Sequence, residues 1–196
     1  MNINVTRPPI RIDRQGEIAV LTLDRPEKRN AIGAATWRAL PLAAAELETD
    51  NTIKVVIVTG AGGHFSAGAD ISEFEDTFAT TDSAVAYGAE MAEGIEAIAA
   101  VCKPVLAAIN GVCIGGGVAL ALACDLRIAA ADARLAITPA KLGMLYPPID
   151  TRRLAACVGV PAAKRLLFGA DVIEGREAAA IGLVDILAEP GEALHR

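Results

Sequence analysis

Hydrophobic and polar positions along this chain fall into short blocks that keep changing period. Ile18 to Leu23 reads as a strand and is followed by an Arg-Pro loop. Thr36 to Leu47 has helical spacing with Pro41 inside it, so the helix is expected to kink there or to take Pro41 into its first turn. Lys54 to Thr59 is β-branched and almost wholly apolar, the pattern of a buried strand. A glycine-rich loop, Gly60 to Ala69, comes next, then a short helix from Ile71 to Phe78. Asp82 or Ser83 is placed to open a helix over Val85 to Ala100, which Lys103-Pro104 stops. Val105 to Ile109 is a strand, Gly115 to Ala123 a short helix, and Leu126 to Ala129 a strand. Strands alternating with helices predict an α/β fold.

Composition narrows the class. The 196 residues suit one domain with a large core, 53% hydrophobic but only 4% aromatic, so Ala, Val, Ile and Leu must fill it. A net charge of −6 with no basic block argues against a nucleic-acid partner. The four cysteines, Cys102, Cys113, Cys124 and Cys157, form no CxxC pair and read as free thiols in a reducing compartment. Residues 1–7 lack an apolar stretch of signal-peptide type, and apolar runs elsewhere are broken before they could span a bilayer. A cytoplasmic protein is expected.

Chemistry concentrates in two segments, His64-Phe65-Ser66-Ala67-Gly68-Ala69-Asp70 and Asn110-Gly111 through Gly115-Gly116-Gly117-Val118-Ala119-Leu120. Both are so short of side chain that backbone N–H groups lie bare. Two such groups from separate loops can hold an anionic oxygen without a metal, which suggests an oxyanion hole for a thioester enolate. The glycine triplet could equally be a tight packing point. Val56 to Gly62 looks like the start of a dinucleotide-binding unit, but its glycines lack GxGxxG spacing and no acidic residue closes the next strand.

Together with Asp24-Arg25-Pro26-Glu27-Lys28-Arg29-Asn30-Ala31 and Cys124-Asp125-Leu126-Arg127-Ile128-Ala129, these segments resemble the enoyl-CoA hydratase/isomerase (crotonase) family from about Ile18 to Leu187. The resemblance implies a spiral of repeated ββα units. It makes the amides of Ala69 and Gly116 the oxyanion donors. It places Lys28, Arg29, Ala67, Gly68, Asp70 and Ile71 around the CoA part of an acyl-CoA substrate, with no separate cofactor, no metal and no membrane. Lys28 and Arg29 also read as a solvated turn, Asp70 as a helix cap, and His64 as a solvated loop residue. Asp125 and Arg127 read as serving the fold. No stripe of Met or aromatic residues is evident.

The hydratases of that family deliver water with two glutamates. The matching positions here are Ala119 and Pro139, or Ala140 if the register slips by one, and no Asp or Glu lies between Asp132 and Asp150. Thr138-Pro139-Ala140-Lys141-Leu142-Gly143-Met144-Leu145-Tyr146 resembles the methylmalonyl-CoA decarboxylase branch, which makes Thr138 and Tyr146 candidate pocket hydroxyls. That branch has histidine where this chain has Ala69. Asp150, the nearest carboxylate downstream, reads as the cap of a helix starting at Thr151 or as a base for isomerisation. Decarboxylase- or isomerase-like chemistry on a thioester is the leading expectation; an acyl-CoA-binding protein without turnover is the alternative. Family members continue beyond Gly182-Leu183-Val184-Asp185, expected here as a strand, into helices that build a trimer or hexamer. Residues 1–190 are therefore expected to form the core, and 191–196 the start of a shortened helical region.

Overall fold

Two sheets wind around one core in the structure, a computed structural model that describes residues 8–194. The larger sheet takes β1 (Ile10–Gln15), β2 (Ile18–Leu23), β3 (Val55–Gly60), β4 (Val105–Ile109), β6 (Leu126–Ala130) and β9 (Ile186–Ala188), in that spatial order. Only β1 and β2 are antiparallel in it. The smaller sheet has β5 (Val112–Ile114), β7 (Arg134–Ala136) and β8 (Val172–Glu174), in the order β5-β7-β8. The first four strands all lie in the larger sheet; after β4 the chain passes between the two, with β6 and β9 in the larger and β5, β7 and β8 in the smaller. Parallel strands covered on both faces need near-continuous apolar sequence, and Ala19, Leu21, Leu23, Val56 and Val58 are all buried.

The helices are α1 (Ala34–Thr49), α2 (Phe74–Thr77), α3 (Thr81–Ala99), α4 (Gly116–Ala123), α5 (Pro148–Gly169) and α6 (Gly175–Ala180). Helix α1 begins after Gly33 and runs through Pro41, so the proline is not in its first turn. Its Trp37, Leu40, Ala43, Ala44 and Leu47 form the buried stripe. Thr80, not Asp82 or Ser83, caps α3: its hydroxyl accepts from the Ser83 N–H while the Ser83 hydroxyl accepts from the Thr80 N–H. Helix α4 is apolar on all sides, as its central position demands. Helix α5 starts at Pro148, with Asp150 inside its first turn rather than at its cap, and is interrupted at Gly159, whose φ is 75°. The last strand lies at Ile186–Ala188, just after the expected one; Gly182 to Asp185 form the turn before it.

Asp125 and Arg127 hold strand ends together. The Asp125 carboxylate accepts from the Val105 N–H at 2.8 Å. The buried Arg127 guanidinium pairs with Asp185 at 2.6 Å and donates to the carbonyls of Leu183 and Cys124. Cys113 and Cys124 are buried, and burial pushes the Cys124 thiol up to about 12, far from a reactive thiolate. No described helix is long and apolar enough to cross a membrane. Among the described residues no cluster of His, Cys, Asp and Glu could hold a metal. The readings of residues 1–7, and of 195 and 196 within the expected helical region, lie outside the described residues; Ala193 is buried and its N–H reaches Asn110 Oδ1 at 3.4 Å.

Candidate active site

The site is built where two loops meet under α4. Ser66 bridges to Cys113 in β5, and Ile32 bridges to Ala69, so the 64–70 segment is stitched between the loop preceding α1 and the small sheet. Asn30 organises the junction from a buried position. Its side chain accepts from the Arg25 N–H and donates to the carbonyls of Ala61 and His64. Its own carbonyl accepts from the Ser66 hydroxyl at 2.8 Å. Asn30 has φ +56°, a left-handed conformation that Asn tolerates better than most residues. Its importance was not visible in the sequence. His64 is not a solvated loop residue: it is half-buried, and its Nδ1 accepts from the Val112 N–H at 3.3 Å.

Within this frame Gly68 and Gly116 come against each other. Gly68 has φ +88°, and a β-carbon on it would lie 2.6 Å from the Ile114 carbonyl oxygen and 3.5 Å from the Gly116 nitrogen. A β-carbon on Gly116 would lie 3.7 Å from the Ala69 nitrogen. Among the described residues, neither the Ala69 nor the Gly116 N–H makes a hydrogen bond. For Gly116 the reason is its place at the start of α4, where a helix has no acceptor for its first amides. The two bare donors therefore share one small space.

That space opens into a cavity of about 210 Å³. Ala67, Gly68, Ala69 and Ile71 form one wall; Gly115, Gly116 and Ala119 another; Thr138, Pro139, Tyr146 and Asp150 a third. A fourth comes from α3 through Ala84, Tyr87, Gly88 and Met91, spaced i, i+3, i+4, i+7 along one face. Of these, Tyr87 and Met91 are the one aromatic and the one Met on that face. Phe74, Phe78 and Leu145 complete an apolar lining. Ala119 and Pro139 stand on the cavity wall and present no titratable group to it.

The Tyr146 hydroxyl donates to the Gly115 carbonyl at 3.3 Å, and burial pushes the pKa of the phenol well above its ordinary value. The phenol stays protonated and supports the glycine loop directly next to Gly116. Thr138 Oγ1 lies 3.8 Å from where a Gly115 β-carbon would be. Trp37 packs under the triplet, and its indole N–H donates to the Tyr87 hydroxyl at 3.2 Å; neither residue was singled out from the sequence.

Lys28, Arg29 and Asp70 do not line the cavity. Asp70 does order the loop: its carboxylate accepts from the Ser72 N–H and hydroxyl, from Lys28 at 2.9 Å and from Arg25 at 2.8 Å. Burial disfavours its charged form, yet the bonds from Ser72, Lys28 and Arg25 prevail and hold the carboxyl well below the usual range. Lys28 is half exposed and also reaches Ser72 Oγ at 2.9 Å, while Arg29 is exposed with φ +49°. Asp150, read from sequence as a cap, is instead buried against the cavity, where its carboxyl is pushed up to about 6 chiefly by burial, with Arg153 opposing and Glu96 adding to the shift.

The sequence matches the enoyl-CoA hydratase/isomerase family over residues 13–196. It is 37% identical over 185 residues to a short-chain-enoyl-CoA hydratase of Clostridium acetobutylicum, covering 94% of this chain and 70% of that protein. It is 38% identical over 184 residues to a crotonyl-CoA hydratase of Syntrophomonas wolfei, covering 93% and 70%. The fold is similar to the crystal structure of an enoyl-CoA hydratase/isomerase family protein from Hyphomonas neptunium, with TM-score 0.93 and 46% identity over 95% of this chain and 72% of that one. With the two-sheet spiral and the paired glycine loops already in place, these matches make the chain a member of the enoyl-CoA hydratase/isomerase family.

Proposed function

We propose that this chain is an acyl-CoA-processing enzyme that stabilises a thioester enolate between the Ala69 and Gly116 amides, without the two-glutamate delivery of water. The observation that carries this reading is the pair of unbonded N–H groups opening onto a cavity in which Ala119 and Pro139 replace carboxylates. Donors aimed at a developing oxyanion in a water-poor pocket contribute several kcal/mol to lowering a barrier. The positive end of α4 adds to the field at the same point. Tyr146 and Thr138 supply hydroxyls to the wall; the exposed Lys28 and Arg29 are candidate partners for CoA phosphates, with Lys28 sharing its charge with Asp70.

A CoA thioester that binds only the native state raises the thermal midpoint as its concentration rises. The test is a panel of acyl-CoA thioesters followed by mass spectrometry together with thermal shift. Binding, turnover of at least one thioester and slow hydration of crotonyl-CoA are expected, because each missing acid–base group is worth about 10²–10⁴ in rate. Rapid crotonyl-CoA hydration overturns the mechanistic part. Binding with no turnover of any thioester favours a protein that carries acyl-CoA without transforming it.

A further inference from the structure

We infer that Asp150 is the proton carrier of this cavity, moving a proton to and from carbon beside the thioester; the inference rests on the acyl-CoA reading above. Among the cavity-lining residues, Asp150 is the one carboxylate, and the other titratable side chains there, Tyr87 and Tyr146, are phenols. Asp150 is 1% exposed, and its Oδ1 makes no hydrogen bond. An ordinary helix-start aspartate would bond to free amides of the first turn, but this one does not.

The groups around it explain its availability. Arg153, one turn along α5, approaches Oδ1 only to 3.6 Å and is drawn to Glu96 of α3 at 2.8 Å. Tyr146 directs its hydroxyl to the Gly115 carbonyl rather than to Asp150. The carboxylate is thus desolvated and incompletely neutralised, the arrangement expected of a proton-transfer group. Asp150 lines the same cavity as Ala69 and Gly116, with Tyr146, whose hydroxyl reaches the residue before Gly116, on the shared wall.

The step balances without a co-reactant. The Asp150 carboxylate takes a proton from a carbon α to the thioester, or γ where a double bond conjugates it. The C–H electron pair becomes the enolate double bond, and the charge on oxygen rests against the Ala69 and Gly116 N–H groups. Protonated Asp150 then returns the proton to the same carbon or to the conjugated one. The outcome is hydrogen exchange or a shift of the double bond. An ionised Asp150 repels an acyl group ending in a carboxylate, so the substrate class is an uncharged enoyl thioester, matching the apolar wall of Phe74, Phe78, Met91 and Leu145.

The experiment follows 3-enoyl-CoA in D2O by mass spectrometry and NMR, with thermal shift measured alongside. The wild-type protein is expected to incorporate deuterium and conjugate the double bond, at a rate that rises with pH through about 6. Asp150→Asn should keep the ligand-induced thermal shift and lose about 10²–10⁴ of the rate, with Asp150→Glu restoring part of it. An Asn variant exchanging at the wild-type rate, or a wild-type rate independent of pH between 4 and 8 (about two units either side of the midpoint), overturns the assignment. A bound thioester with neither exchange nor isomerisation also overturns it while leaving acyl-CoA binding intact. Failure of every thioester to bind removes the acyl-CoA reading itself.

Discussion

Trp37 sets the floor beneath Gly116: a β-carbon on that glycine would stand 3.3 Å from the indole Cζ2. The same position is 3.7 Å from the Ala69 nitrogen. A helix that packs on the core from one side thereby fixes how closely a ligand oxygen can approach two amides on the other. The Trp37 N–H continues the contact to Tyr87 in the cavity wall, so α1 and α3 are registered through the site rather than merely beside it.

Gly116→Pro removes one amide donor at the first position of α4, where proline is otherwise tolerated. Turnover of any accepted thioester should fall by at least about 10²–10³, with the helical circular-dichroism signal retained. Steady-state kinetics of the folded variant checks it, and unchanged turnover would remove Gly116 from the proposed oxyanion site.

Tyr146→Phe deletes the bond to the Gly115 carbonyl and leaves that acceptor near the buried end of the loop. A loss of about 1 kcal/mol in stability is expected, with slower turnover because the Gly116 amide is less firmly placed. Thr138→Val should also slow turnover by altering the adjacent wall. Urea unfolding and single-turnover rates measured on both variants separate the two effects; activity at the wild-type level in both would leave neither hydroxyl a role.

Asp70→Asn weakens the bonds from Arg25, Lys28 and Ser72. At pH 7 the cost should be about 1–3 kcal/mol, typical of bonds to a charged group. Because the folded carboxyl titrates below its unfolded value, its stabilisation is complete above about pH 4 and disappears as pH falls through the folded value. The stability difference between wild type and variant should therefore shrink in acid. A difference that stays constant from neutral pH into that range would count against the ion-pair account.

Two glycines of α3 offer a paired test. A β-carbon on Gly94 meets the Trp37 carbonyl oxygen at 2.9 Å and Leu40 Cδ1 at 3.3 Å, whereas one on Gly88 meets nothing within 4 Å. Gly88→Ala should stabilise by about 0.5–1 kcal/mol through helix propensity. Gly94→Ala gains the same propensity but presses α3 away from α1, and overpacking costs about 1–3 kcal/mol, so net loss is expected. Thermal denaturation of the two variants should move in opposite directions; a stabilising Gly94→Ala would show that the helix pair separates easily.

Much of the architecture was legible because it follows from local periodicity. The strands at 18–23, 54–59, 105–109 and 126–129 and the glycine loops between them needed only apolar runs and breakers. Caps were harder. Thr80 and Asp82 lie two residues apart in a polar cluster, and only the reciprocal bonds of Thr80 with Ser83 distinguish them. The small sheet was not anticipated at all, since β5, β7 and β8 are three residues each and gain their pairing from the spiral around them. In the site, Gly68, Ala69 and Gly116 were marked by their lack of side chain. Tyr87 and Met91 were spaced on one helix face, but nothing local told which face met a cavity.

The sequence by itself determined the α/β alternation, the two bare-amide loops and the lack of carboxylate at Ala119 and Pro139, because composition and spacing carry those properties along the chain. Only the tertiary structure decided what Asp150 is. In sequence it is an acid at the start of a helix, and such a residue ordinarily faces water or caps amides. Helix spacing sets Arg153 near it, but folding buries it in the cavity wall and brings Glu96 of α3 against Arg153. Burial and the charges of other elements then raise its proton affinity, and no pattern within a few residues of Asp150 encodes either.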